Sequence, residues 1–304
     1  MYSEKITVGS GTQYPLDGML ALPDQFPLPV PAVVMVHGSG PSNMDEKVGK
    51  LTPFKDLAEG LQKRGIASLR YNKRTFSYGR KMVKQDATIR EETIEDACFA
   101  LDLLKSDPRI DSSKIFILGH SMGAMLAPRI DAEWGYAKGL IMMAGSPCRM
   151  EEIMLRQLKQ GESGNPVLKW ILGMQSQKFA RKFDKLYEMS DEEARKQKFP
   201  GGVSLYYFKE MGKRTAADYL LENRKPVLIM QGGKDFQSLR DVDFVQFQEV
   251  LSGMNNVEYR EYPQLNHAFV EAIYDDILKA SREYRVERHI GDEVLDDIAE
   301  FILR

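Results

Sequence analysis

Short apolar runs bounded by turn residues recur along the chain with helical spacings between them. That is the pattern of strands alternating with crossover helices in a mostly parallel sheet. Lys5–Val8 and Gly18–Leu22 read as an opening antiparallel pair. Ala32–Val36 (AVVMV), Ile66–Tyr71, Lys114–Leu118 (KIFIL), Gly139–Met143, Pro226–Met230 (PVLIM) and Val257–Tyr262 supply the remaining candidate strands. Between them, Phe54–Arg64, Glu91–Ser106, Val242–Ser252 and Asp292–Leu303 carry helical patterns. The second of these sets Ile94, Ala97, Ala100, Leu101 and Leu104 at helical spacing and stops at Asp107-Pro108, where proline cannot continue a helix. The expected fold class is α/β, and 304 residues with 43% apolar content suffice for a substantial core.

After Gly145-Ser146-Pro147 the alternation stops. From Cys148 to Arg224 the chain is rich in Met, Lys, Arg and Glu, with helical periodicities and no convincing strand, and is punctuated by Gly161-Glu162-Ser163-Gly164 and Pro200-Gly201-Gly202. The expected organisation is therefore a core of residues 1–147 and 225–304 carrying a helical insertion over 148–224. Its Trp170, Ile171, Leu172, Met174, Phe179, Phe183, Tyr187, Tyr206, Tyr207 and Phe208 are expected mainly to pack the insertion on the sheet domain, with some of them over a pocket. A pocket so lined favours a hydrophobic or aromatic acyl group over a bare sugar acetate.

A net charge of −2 and a pI near 6.2 give no reason to expect nucleic acid as a partner. The basic stretch Lys178–Lys185 and the pair Lys73 and Arg74 read as solvated faces. Two cysteines, Cys98 and Cys148, cannot make a disulfide framework, and both read as packed thiols in a reducing compartment. No basic start precedes an apolar run at the N-terminus, and no stretch approaches 18 apolar residues. The expectation is a soluble, cytoplasmic protein with no membrane partner, with self-association left open.

The most informative chemistry lies in Phe116–Ala124, FILGHSMGA. Gly119-His120-Ser121-Met122-Gly123 follows the best strand candidate and opens a helical pattern, so Ser121 falls on a strand-to-helix turn. A serine there is a candidate nucleophile, and side chains at 119 and 123 would collide with the neighbouring helix and strand. A hydroxyl needs a base to take its proton, and the base needs a carboxylate to fix its tautomer. Of four histidines, His37 and His120 lie inside other motifs. His267, in the loop after the last strand, emerges at the carboxyl edge where Ser121 also emerges, whereas His289 reads as an exposed residue before the final helix. Asp235 follows the strand before that one, on Gln231-Gly232-Gly233-Lys234-Asp235; Asp241 and Asp243 compete but read as first-turn acids of a helix. The acid, base and nucleophile are thus Asp235, His267 and Ser121. The oxyanion donors are the backbone N–H groups of Met122 and of Ser39, the latter in His37-Gly38-Ser39-Gly40-Pro41. No histidine pair has metal-ligand spacing, so neither metal nor cofactor is expected.

With VHGSGPSNMDE at Val36–Glu46, GHSMG at the turn, QGGKD and LNHAF, the sequence resembles the α/β-hydrolase superfamily over nearly its whole length. Within it, the likeness is to the bacterial esterase branch near dienelactone hydrolases and serine aminopeptidases. The resemblance implies an eight-stranded sheet with helices on both faces, a cap inserted after the sixth strand, and hydrolysis of small-molecule carboxylic esters through an acyl-enzyme. Two features depart from many relatives: Asn72–Tyr78 stands where they carry a glycine-rich turn, and the insertion is long and charged. Peptidase, thioesterase and acyltransferase activity on the same triad are the alternatives, as is a ligand-binding member of the fold without catalysis.

Overall fold

The computed structural model describes residues 2–162, 166–200 and 202–304. The expected turn residues Ser163, Gly164 and Gly201 lie outside them. Eight strands form one sheet: β1 Tyr2–Val8, β2 Leu16–Leu22, β3 Val30–Val36, β4 Ala67–Tyr71, β5 Ile110–His120, β6 Gly139–Met143, β7 Val227–Gly232 and β8 Val257–Tyr262. Their order is β1-β2-β4-β3-β5-β6-β7-β8; β2 runs antiparallel to β1 and β4, and every other pairing is parallel.

Strands buried on both faces lose the apolar-polar alternation, and the central pair shows how the sheet uses this. Along β3, Ala32, Val34 and Val36 join one core while Val33 and Met35 join the other; along β5, Ile115 and Ile117 divide from Phe116 and Leu118 in the same way. Helices cover each side. On the first lie α3 (Glu95–Ser106) and α4 (Met122–Trp134), through Ala97, Leu101, Leu126 and Ile130. On the second lie α1 (Pro53–Gln62) and α12 (Asp292–Leu303), through Phe54, Leu57, Val294 and Ile298.

Between β6 and β7 the chain is helical: α5 Met150–Gly161, α6 Pro166–Phe183, α7 Asp191–Lys196, α8 Leu205–Gly212 and α9 Ala216–Glu222. The rings of Phe179, Phe183, Phe199 and Phe208 form its interior, with centroids 4.5 to 5.4 Å apart. Trp170, Ile171 and Met174 do not join that packing but lie on the exposed side of α6. The remaining helices are α2 Arg74–Lys84, α10 Val245–Val250 and α11 Ala280–Glu283.

One expectation about charge fails. Lys73 and Arg74 are buried, not solvated. Lys73 Nζ lies 2.7 Å from Glu92 Oε1 and donates to the Gly38 carbonyl, while the Arg74 guanidinium forks onto Asp96 and reaches Glu95. Each cation is thus paid for by a carboxylate some twenty residues away in sequence. Asp243 stands in the first turn of the short helical segment Arg240–Phe244, as expected of it, and is fully buried there: it accepts from Ser146 Oγ and the Leu239 N–H and pairs with Arg156 of α5.

Candidate active site

The carboxyl ends of β3, β5, β6, β7 and β8 deliver loops to one edge of the sheet, and several of them hold backbone in costly conformations. Glu46, Ser121, Ala144 and Phe269 all have positive φ, which for residues with a side chain costs about 1–3 kcal/mol each. Ser121 has φ 54° and ψ −118° between the last residue of β5 and the first of α4. Its N–H donates to the Met143 carbonyl at 2.8 Å. The flanking glycines are needed for space: a Cβ on Gly119 would lie 2.2 Å from the Gly123 carbonyl oxygen, and one on Gly123 would lie 2.0 Å from that of Val36. The turn therefore stands the serine clear of both strand and helix.

Asp235 leaves β7 and is clamped at once by its own turn. Its Oδ1 accepts the N–H groups of Gln237 at 2.7 Å and Ser238 at 3.0 Å. Oδ2 faces His267 Nδ1 at 2.7 Å, with the Gln231 amide donating to the same oxygen at 3.3 Å. A proton on Nδ1 directed at the carboxylate leaves Nε2 with its lone pair, the tautomer that a base requires. The His267 loop is itself held by Asn266, whose Oδ1 accepts the Ala268 N–H and whose Nδ2 donates to buried Glu283. Ser121 and His267 line the same cavity; among the described residues Ser121 Oγ makes no hydrogen bond. The structure pairs neither Asp241 nor Asp243 with this histidine. His289 is exposed and pairs with Asp56 at 3.0 Å, which lifts its pKa above the ordinary value.

The loop after β3 borders the same point. Ser39 lines the cavity with Ser121, Met122 and His267, and among the described residues the N–H groups of Ser39 and Met122 have no acceptor. The neighbouring Gly38 is gripped from both sides: its N–H donates to Glu46 Oε1 at 2.7 Å and its carbonyl accepts from Lys73 Nζ at 2.9 Å. Lys73 leads through Glu92 to Tyr207 of α8, whose hydroxyl donates to Glu92 Oε2 at 2.8 Å. His37 packs on the rings of Phe54 and Tyr71, and burial pushes its pKa down to about 4. None of Gln231, Glu46, Lys73 and Glu92 is assigned a role by sequence reasoning. Gln231 and Glu46 are signalled only by standing near glycine motifs, and Lys73 and Glu92 by nothing local, since the fold brings them together from 19 residues apart in sequence.

The cavity measures about 930 Å³. Its roof includes Met150, Ile153, Met154 and Gln157, which recur at i, i+3, i+4 and i+7 and so occupy one face of α5. Phe199, Val203, Tyr207 and Phe208 continue it. A smaller recess of about 200 Å³ lies against Ser121 and His267 as well, lined by Glu46, Lys47 and Tyr284. Cys148 is half-buried with its thiol donating to Gln246, and burial raises its pKa, as expected of a packed and unreactive group. Among the described residues no group of three or more His, Cys, Asp or Glu side chains could hold a metal ion, and no helix is long and apolar enough to cross a membrane.

The family described as "Alpha/beta hydrolase family" matches residues 33–277. Esterase EstD of Thermotoga maritima is 36% identical over 276 residues, which cover 91% of this chain and 63% of that protein. The chain thus spans somewhat less than two thirds of that relative. Among solved structures, the acylaminoacyl peptidase of Pyrococcus horikoshii superposes with a TM-score of 0.59 at 17% identity, over 100% of this chain and 42% of that one. Dienelactone hydrolase from Anabaena variabilis gives 0.57 at 16%, over 99% and 97%.

Proposed function

The chain belongs to the alpha/beta hydrolase family, and from that membership we propose that it is a serine hydrolase of carboxylic esters, acting through Ser121, His267 and Asp235. The observation that carries the reading is Ser121 raised on a strained turn beside a histidine whose Nδ1 faces a buried carboxylate at 2.7 Å. The likeness to Esterase EstD supports ester bonds as the substrate class.

In the proposed cycle His267 Nε2 removes the Ser121 proton as Oγ attacks the ester carbonyl. That contact tightens as substrate binds, as is common for catalytic hydrogen bonds that are long in the free enzyme. The Ser39 and Met122 N–H groups take the developing oxyanion, each worth about 3 kcal/mol of barrier. Collapse of the tetrahedral species breaks the bond to the alcohol oxygen, which leaves with the proton from His267. Water then gives its proton to His267 and its oxygen to the acyl carbon, and Ser121 is released with that proton. Asp235 holds the base in one tautomer throughout.

Residues 148–224 serve as a cap over the core of residues 1–147 and 225–304. The apolar roof and a volume of about 930 Å³ support a hydrophobic or aromatic acyl group. No step calls for a metal or cofactor, and the cytoplasm is the proposed compartment. The test is a series of p-nitrophenyl esters from acetate to palmitate with Ser121→Ala as the blank, alongside fluorophosphonate labelling. Serine-dependent turnover with a chain-length optimum is expected. Labelling of Ser121 without ester turnover would point to a peptidase, thioesterase or acyltransferase, and neither labelling nor turnover to a binding protein.

A further inference from the structure

Two histidines meet beside the nucleophile, and the cycle above uses only one. His120 immediately precedes Ser121, is buried, and its ring centroid lies 4.8 Å from that of His267. Its Nε2 stands 2.8 Å from the backbone carbonyl oxygen of His267, and its Nδ1 stands 2.9 Å from Oε2 of Glu46. Oxygen atoms therefore face both ring nitrogens. A neutral imidazole has one N–H and one lone pair, so either neutral tautomer would turn a lone pair onto one of these oxygens. The imidazolium, with a donor on each nitrogen, suits both.

Glu46 completes the arrangement. Its other oxygen accepts the Gly38 N–H, so one carboxylate touches both the oxyanion loop and the histidine of the nucleophile turn. The approach to Nδ1 is close but off the hydrogen-bond line, which makes it a contact of charges more than a directed bond. Glu46 is held there at φ 50°, a conformation the chain would not adopt unaided.

We propose that His120 is an imidazolium paired with Glu46, and that this buried pair is a positioning device tying the loop of the oxyanion donor Ser39 to the loop of the base His267. The inference rests on the roles given above to Ser39 and His267; neither member of the pair touches the reacting atoms. The charged and titratable groups around His120 divide clearly. Glu46 and, beyond His267, the Asp235 carboxylate favour the cation, while His37, on which Lys73 also acts, opposes it. His37 is neutral in this setting, and Lys73 already has Glu92 as its partner. Burial works against the His120 charge, and Glu46, the His267 carbonyl and Asp235 together outweigh it, lifting the pKa above the ordinary value. A buried ion pair need not stabilise a fold relative to apolar residues, so its contribution here is sought in geometry.

Two measurements on the full chain test this. The first reads charge without turnover: ¹⁵N-labelled histidine spectra at pH 7.5, with the four histidines assigned by single substitution. Two protonated ring nitrogens on His120 are expected, and a neutral tautomer pattern overturns the proposal. The second is Glu46→Gln, which keeps an acceptor for the Gly38 N–H and removes the counter-charge. A roughly 100-fold fall in kcat with KM held within about 3-fold is expected, as for a misplacement of order 1 Å. Glu46→Asp, which keeps the charge on a shorter arm, should recover part of the loss. Full activity in Glu46→Gln overturns the positioning role. If that variant does not fold, the spectra of the unaltered protein decide. Failure of the esterase reading shows itself separately, as turnover surviving Ser121→Ala, and leaves the charge on His120 unaffected.

Discussion

The loops at the sheet edge and the helices between β6 and β7 border one cavity, yet their interiors are built differently. On the loops directed polar contacts do the holding: Asp235 takes two backbone N–H groups of its own turn, and Gly38 is bonded through both its N–H and its carbonyl. In the helices four phenylalanine rings pack on one another, and polar anchors such as Arg156 on Asp243, Tyr207 on Glu92 and Arg129 on Glu210 tie that apolar interior to the core. A hydrogen bond weakens steeply with misalignment, whereas apolar packing accepts exchanges of similar volume at modest cost. On the proposed reading the first region carries the chemistry and the second the selectivity.

That assignment breaks if both regions respond alike to substitution. The largest expected effect is Ser121→Ala or His267→Ala, each lowering kcat/KM by about 10⁴-fold or more on every ester, measured by initial rates. Loss of that size from any single change in residues 148–224 that leaves the protein folded would refute the division. Next comes Gly119→Ala, whose Cβ would meet the Gly123 carbonyl oxygen at 2.2 Å. It should destabilise by about 4 kcal/mol and lower Tm by roughly 6 °C, while Trp170→Ala on the outer side of α6 should move Tm by about 1 °C. Calorimetry showing equal shifts would count against a rigid edge and a tolerant helical segment.

A smaller effect sharpens the contrast. Ile153→Trp on the cavity face of α5 should lower kcat/KM for long-chain esters by roughly 10- to 100-fold and leave acetate within about 3-fold, because it removes room and no catalytic group. Equal losses on all chain lengths would mean that α5 positions the triad as well. The smallest effect is at His289. Asp56 raises its folded-state pKa, so the pair stabilises below the unfolded value of about 6.5, and that contribution disappears as pH rises through the higher folded value. His289→Ala should cost about 1 °C in Tm at pH 6 and nothing at pH 9, with unchanged activity.

The strands and the nucleophile turn were legible because their causes are local. Buried runs such as AVVMV and KIFIL need no partner to be recognised, and a serine between two glycines after such a run has few structural explanations. Even so, β5 begins at Ile110, four residues before KIFIL, and α2 begins within the Asn72–Tyr78 region and runs on to Lys84, a helix to which sequence reading assigned no element. The buried charges were not legible. Lys73 and Arg74 look solvated because composition is silent about Glu92 and Asp96, which the fold brings to them. His120 is absorbed by the motif around Ser121, and Glu46 closes a run quoted for its glycines; nothing in either local pattern pairs them. The outward side of α6 escaped for a related reason, since helical spacing defines a face without saying which way it turns.

Four of the side chains that shape the cavity stand on one face of α5, while Arg156 on the same helix is tied to Asp243 in the core. Gln157 adds a bond to the Gln237 carbonyl, so shape alone is written at Met150, Ile153 and Met154. A lineage can exchange those three one at a time, re-cutting the cavity, without releasing the helix or disturbing the proposed nucleophile, acid or base. Substrate range in such a protein can drift neutrally and be selected afterwards, because its evolutionary freedom is concentrated where errors are cheap.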